Sequence, residues 1–335
     1  MTKTSPQLFL APMEGVTDWA MRDLLTSIGG IDQCTTEFLR VTDNLHSDTI
    51  FYKNCPELLT NSKTRSGVPV FVQLLGGKVG PLVANAVRAQ ELGALGVDLN
   101  FGCPAKTVNR HDGGASLLQY TDRLYNIVKA VRDAVPKSTP VTAKIRLGFD
   151  KPTACIANAQ AIEAAGADWL TVHCRTKTDG YKPPAYWEWI VKIKEATKIK
   201  IVTNGEIWTL EDFEKCDSIA NTGHYMIGRG ALRDPFLFQK VKASADASHA
   251  KTITDGIQKS TDQKSAYQEI KPLLPQFFEA STAYVSASFA VARTKNWLKQ
   301  LSFGSPEFTE HFEQLKVITK PAEFKEQLAN ILSLN

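Results

Sequence analysis

One thiol in this chain lies where chemistry is possible. Cys103 sits in Asn100-Phe101-Gly102-Cys103-Pro104, followed by Lys106, Asn109, Arg110 and the pair Gly113-Gly114. The run Gly96-Val97-Asp98-Leu99 just before it reads as a short buried strand. A structural cysteine is more often found inside an apolar run. This one is on a polar, glycine-rich loop at a strand end. A second group is suited to phosphate: Asn204-Gly205-Glu206 together with Gly228-Arg229-Gly230. Glycines let backbone N–H groups approach phosphate oxygens, and an arginine adds a bidentate contact. A lone Gly-x-Gly often does no more than turn the chain, so the pairing carries the argument. Lys144 is the third element. It lies between Ala143 and Ile145, and a buried, unpaired charge is costly enough to imply a use.

A flavin accounts for the three together. Ala11-Pro12-Met13 offers apolar surface beneath an isoalloxazine ring, and Gln73 and Asn100 can reach its polar edge. Lys144 can place a cation beside the part of the ring that becomes anionic on reduction. His173 can contact the phosphate or ribityl chain, although a lone strand histidine is more often a satisfied core residue.

The elements that must position these groups are legible as a repeat. Short apolar runs occur at 8–13, 34–38, 70–75, 96–101, 141–147, 169–174, 199–205 and 224–230. Helical patterns such as 81–92, 122–134 and 153–165 separate them. Strands alternating with helices in this number predict an α/β fold, a TIM (β/α)8 barrel. Most runs carry a polar group at or near the C-terminal end: Glu37, Gln73, Asn100, Lys144 with Arg146, His173, Asn204, Arg229. A single such residue is often only a solvated loop start. The whole set in one register predicts a shared mouth. After about residue 240 the pattern changes. The stretch 244–265 is rich in Ala, Ser, Thr, Lys and Asp and reads as a linker or surface helix-loop region. Helical patterns follow at 267–280, 286–301, 306–316 and 321–332. The expected organisation is a catalytic barrel over 1–240 and an all-α helical domain over 241–335.

Composition sets outer bounds. The chain has 335 residues, 43% hydrophobic and 22% charged, which suits a soluble globular protein. The net charge of +4 permits a polyanionic partner without demanding one. Six scattered cysteines with no CxxC indicate neither a disulfide framework nor a zinc site. No metal is expected. No apolar run approaches the ~20 residues of a membrane span, and the N-terminus lacks the pattern of a secretory signal. The expected compartment is the cytoplasm.

The ordered set of motifs resembles the tRNA-dihydrouridine synthases. It comprises Pro12-Met13-Glu14-Gly15-Val16-Thr17-Asp18, Gln73-Leu74-Leu75-Gly76, Asp98-Leu99-Asn100-Phe101-Gly102-Cys103-Pro104, Lys144-Ile145-Arg146-Leu147-Gly148, His173-Cys174-Arg175-Thr176, Asn204-Gly205-Glu206-Ile207 and Gly228-Arg229-Gly230. The resemblance covers the barrel and extends in outline to the C-terminal helices. Within the family, the segments 36–41, 55–58 and 205–208 look most like the bacterial branch associated with uridine 16 of the D-loop. The resemblance implies an FMN enzyme that reduces the C5=C6 bond of uridine in tRNA, with NADPH as hydride source. It implies that Pro12, Met13 and Glu14 line the flavin, and that Gln73 and Lys144 bind its ring edge. His173, Asn204, Gly205, Glu206, Gly228 and Arg229 would hold the ribityl-phosphate side. Asn100 would lie beside the base, and Cys103 would be the general acid that protonates C5. That role needs a neutral thiol, so no strong depression of its pKa is expected. Phe101 departs from the smaller residue expected in many relatives.

A base hidden in folded tRNA must be captured extruded, which calls for phosphate contacts away from the pocket. Arg293, Lys295 and Lys299 lie in a stretch without Asp or Glu, with Lys295 and Lys299 at i, i+4 spacing. These three are expected to contact tRNA. Arg40 and Arg146 are further substrate candidates. The chain is expected to act as a monomer. Two rival readings remain: a small-molecule pyrimidine flavoenzyme resembling dihydroorotate or dihydropyrimidine dehydrogenases, and a non-catalytic tRNA-binding protein.

Overall fold

The computed structural model describes residues 5–110, 112–250 and 263–333. Its centre is a ring of parallel strands. These are β1 (Gln7–Leu10), β2 (Gln33–Thr35), β3 (Leu39–Arg40), β4 (Val70–Leu75), β5 (Val97–Phe101), β6 (Val141–Arg146), β7 (Trp169–His173), β8 (Lys200–Asn204) and β9 (His224–Ile227). Neighbours run β2-β1-β9-β8-β7-β6-β5-β4, and a β2–β4 pairing closes the ring. This is the expected barrel, and each of the eight apolar runs supplies one strand position.

The second position is interrupted. β2 pairs with the start of β4 (Cys34 opposite Val70) and β3 with its end (Leu39 opposite Leu74). Between them Thr36 keeps the ladder through its N–H to the Phe71 carbonyl at 2.9 Å. Glu37 and Phe38 leave the ladder and enter the barrel mouth. The expected strand 34–38 is therefore broken by a bulge of the kind that re-aims side chains beside active sites.

Alternation decides what fills the barrel. Along each strand one set of residues packs outward under the helices, as Leu99, Ala143, Ile145, Leu170 and Val172 do. The other set points inward and stacks in layers. The N-terminal end is plugged by rings: Trp169 lies 6.3 Å from Phe9 and 5.3 Å from Phe71. Gly96 makes room for this plug, since a Cβ there would come 2.2 Å from the Phe71 ring. Above it Gln73, Asp98 and Thr142 lie side by side in register. The top layer pairs Asn100 with Lys144, Arg146 with His173, and His173 with Asn204.

Helix Leu237–Ala250 follows the barrel and covers the first part of the expected linker. Residues 251–262 of that stretch lie outside the described residues. The expected helix at 267–280 is two helices, Gln263–Ile270 and Leu273–Thr282. Pro272 separates them because it has no N–H to continue the ladder and disfavours helical geometry at the residue before it. Helices Ala287–Ser302, Pro306–Leu315 and Pro321–Ser333 match expectation within two residues at either end. Buried Trp297, Leu298 and Leu301 seat helix Ala287–Ser302 on its neighbours. The Trp297 indole also donates to the Leu232 carbonyl at 3.0 Å, which fastens this helix to the barrel beside the mouth.

Candidate active site

A cavity of about 680 Å³ opens at the C-terminal strand ends, within the range of ligand sites. Pro12, Met13, Glu14, Asn100, Cys103, Lys144, Arg146, His173, Asn204, Gly205, Glu206, Gly228 and Arg229 all line it. Residues far apart in sequence thus converge as the motif reading expected.

The Cys103 loop is held from below by a chain of hydrogen bonds with a fixed direction. Buried Asp98 accepts from Thr142 Oγ1 at 2.5 Å and from Gln73 Nε2 at 2.7 Å. Burial raises the Asp98 carboxyl, while the Thr142 and Gln73 hydrogen bonds and the Lys144 charge favour its ionised form; that form only accepts, so Gln73 presents its amide nitrogen to it. Gln73 Oε1 is then free to accept from Asn100 Nδ2 at 2.8 Å. That leaves Asn100 Oδ1 to accept from the backbone N–H groups of Gly102 and Cys103, at 2.9 and 3.0 Å. From above, Arg146 Nε donates to the Gly102 carbonyl at 2.8 Å, and its Nη1 donates to the carbonyls of Thr176 and Gly180. Cys103 is the only one of the six cysteines that is not buried. Partial burial, with a further push from the Glu14 carboxylate, raises its pKa, so the thiol is neutral at pH 7. Cys34 and Cys155 are buried, and burial pushes them up to about 12, as befits packing residues.

From β6 onward round the ring, starting beside the thiol loop, the wall is cationic. Lys144 Nζ donates to Asn204 Oδ1 at 3.2 Å, and Asn204 is itself fixed by its Nδ2 donating to the Met226 carbonyl at 2.8 Å. Burial, then the Arg146 charge, pulls the Lys144 ammonium down to about 8. Burial and the charges of Arg146, Lys144, Arg175 and Arg229 hold His173 well below the usual imidazole range. It is therefore neutral and can donate or accept. Arg175, fully buried, is pulled down to about 10 by burial and by Arg229 and Arg146. It pairs with Glu206. So much like charge around one space calls for an anion.

Two glycines give that anion room. Gly205 sits at φ +119°, and a Cβ there would come 2.9 Å from His173 Cδ2. A Cβ at Gly228 would come 3.3 Å from Met13 Sδ. Glu206 follows at φ +59°, a left-handed conformation uncommon for a non-glycine residue.

A family model described as dihydrouridine synthase (Dus) matches residues 9–330. The chain belongs to the dihydrouridine synthase family. A tRNA-dihydrouridine(16) synthase of Pseudomonas putida is 43% identical over 310 residues, 92% of both chains. One of Shewanella oneidensis is 43% identical over 312 residues, 93% of both. Among solved structures, a 2-naphthoyl-CoA reductase complex shares the fold at TM-score 0.55 and 15% identity, over 71% of this chain and 50% of that one. Histamine dehydrogenase from Rhizobium sp. 4-9 does so at 0.53 and 13%, over 82% and 49%.

As a dihydrouridine synthase, the chain is a flavin-dependent oxidoreductase, and its cavity fits a phosphorylated flavin. The cationic wall and the two glycines that a Cβ would fill meet at one end, suited to the phosphate. Cys103 follows β5 and Lys144 lies on the adjacent β6, whereas Gly205 and Gly228 follow β8 and β9, three and four places round the ring from the thiol.

Some residues of this dihydrouridine synthase lie elsewhere than expected. Gln73 does not line the cavity: both ends of its amide are engaged beneath the floor, where it orients Asn100. Arg293 is 4% exposed; its Nε donates to Asp18 at 2.9 Å and its Nη2 to the Val16 carbonyl. It ties helix Ala287–Ser302 to the loop after β1 and does not face a nucleic acid. Lys295 donates to the Lys316 and Ile318 carbonyls, satisfying the end of helix Pro306–Leu315. Of the expected basic face only Lys299 is exposed. Arg40 is half-buried, and its Nη2 reaches the Thr107 carbonyl at 3.4 Å, beside the Cys103 loop. Glu37 lines the cavity, as its strand-end position predicted, and Phe38, Arg175, Tyr181 and Trp208 line it without having been singled out as site residues. Burial raises the Glu37 carboxyl. For Arg175 a signal existed: it is two residues beyond His173, as Arg146 is beyond Lys144. For Tyr181 and Trp208, both on loops, none did.

Proposed function

We propose that this chain reduces the C5=C6 bond of uridine in tRNA to 5,6-dihydrouridine, at position 16 of the D-loop, using FMN and NADPH. The carrying observation is one cavity lined by both a neutral thiol and a phosphate-seeking wall. The substrate position rests on relatives named tRNA-dihydrouridine(16) synthase. Bound in the cavity, reduced FMN supplies the hydride that C6 of uracil accepts. Arg175, Arg229 and the Gly205 backbone hold its phosphate end, and His173 contacts the adjoining chain. Pro12 and Met13 pack against the ring. Lys144, steered by Asn204, places its ammonium at the ring edge, where an anionic partner favours the protonated amine.

Cys103 delivers the proton to C5. Asn100 and Arg146 hold the loop that aims the thiol, and burial keeps the proton on sulfur until C5 becomes basic. The target nucleotide enters flipped, with the helical segment beside the mouth taking the rest of the tRNA. The barrel over 1–240 is the catalytic unit and 241–335 the tRNA-holding unit, acting as a monomer in the cytoplasm. The relatives named tRNA-dihydrouridine(16) synthase favour a macromolecular substrate over a free pyrimidine. The decisive experiment incubates the purified protein with FMN, NADPH and unmodified tRNA and maps dihydrouridine. Loss of reduction at position 16 alone refutes the site assignment, and no dihydrouridine anywhere refutes the reaction.

A further inference from the structure

The cations of the mouth do not stop at its edge. Arg229 lies 4.5 Å from the Trp208 ring centroid, and Arg233 4.0 Å from the same ring. Arg233 is also 5.3 Å from Phe303, and Lys299 is 5.1 Å from Phe303 and 4.7 Å from Phe312. Cation and ring thus alternate from the cavity wall, which Trp208 and Arg229 form, to the outer side of helix Ala287–Ser302.

An aromatic support fixes a cation in place without cancelling its charge; a carboxylate partner would cancel it. Among the described residues, no Asp or Glu pairs with Arg233 or Lys299, and Arg233 Nε is shielded from solvent with no hydrogen-bond partner. Phe303 is 56% exposed, so ring surface between the two cations is open to a stacking partner. The row joins the cavity directly, since Trp208 and Arg229, at its inner end, line it.

We infer that Arg233, Phe303 and Lys299 form a track for the unpaired RNA strand flanking the target nucleotide, the cations taking phosphates and Phe303 a base. The inference rests on the tRNA reading above and names where its strand leaves the mouth. A single strand matches because its bases expose faces for stacking while its phosphates remain accessible. A duplex hides those faces.

The test measures tRNA affinity across a salt series for the holoenzyme and for Arg233→Gln, Lys299→Gln and Phe303→Ala, with melting temperature confirming the fold. Phe303→Ala is expected to weaken binding about tenfold. Each cation variant is expected to flatten the plot of log affinity against log salt by about 0.7. Bleaching of the flavin by NADPH should be unchanged in all three. A single-stranded oligouridine of about twelve nucleotides should compete with tRNA on the parent and poorly on the triple variant. Unchanged affinity and salt slope in all three variants overturn the inference, as does a duplex of equal length competing as well as the single strand. Slower bleaching with normal tRNA binding also overturns it, because the residues would then serve the reductant. If the parent forms no dihydrouridine while these binding changes persist, the reaction reading fails and the track stands.

Discussion

The two ends of this barrel are built from the same strands and do opposite work. β7 begins with Trp169, in the ring plug, and ends with His173, in the cationic wall. β4 places Phe71 in the plug and, two residues on, Gln73 beneath the Cys103 loop. One or two steps along the same inward face convert packing into chemistry. The plug is apolar and stabilises the barrel through burial. The mouth gathers like charge and is kept in order by partners of its own, such as Asn204 for Lys144 and Glu206 for Arg175. Depth along the strand, not residue type alone, separates scaffold from site.

Substitutions at the two ends should therefore separate activity from stability. The largest expected effect is at the mouth. Cys103→Ala should lower dihydrouridine formation by about a hundredfold or more, with flavin absorbance and melting temperature unchanged; normal single-turnover product would remove the thiol from the reaction. At the other end, Trp169 is partly buried, and Trp169→Ala should destabilise the fold by about 1–3 kcal/mol, read from urea midpoints, while folded protein still takes up flavin. Between the two lies Asp98→Asn, which lets the Gln73 and Asn100 amides reverse. It should cost about 2 kcal/mol of stability and slow turnover, leaving flavin affinity intact; an unaltered rate would disconnect the chain of hydrogen bonds from the thiol. The smallest effect is a pH dependence. Lys144 has its pKa lowered to about 8 in the flavin-free protein, so it is charged below that value and neutral above it. Affinity for the anionic flavin should fall as pH rises through about 8, and this dependence should be missing from Lys144→Met in a titration followed by fluorescence.

The barrel was legible because each strand is short, apolar and followed by turn residues, so local pattern and tertiary role agree. The mouth was legible where glycine or lysine broke an apolar run, at Gly205, Gly228 and Lys144. Gln73 shows the limit. A polar residue near a strand end looks the same whether it faces a cavity or a buried partner, and only the register opposite Asp98 decides. Lys295 and Lys299 share a helix face by spacing, yet the carbonyls that claim Lys295 belong to residues 316 and 318. Such long-range partners leave no local trace. The interruption at Glu37 and Phe38 was hidden for a related reason, since a bulge depends on what the neighbouring strand leaves unpaired.

The crowding of Lys144, Arg146, Arg175 and Arg229 around a neutral His173 has a consequence for how the protein lives without its ligand. Mutual repulsion among these cations weakens the flavin-free fold, and a bound phosphate relieves it as a counter-ion would. By mass action, any anion that enters raises the temperature of unfolding. The cofactor is thus a tenant that also braces the building: cells short of flavin would hold not merely an inactive enzyme but a more perishable one.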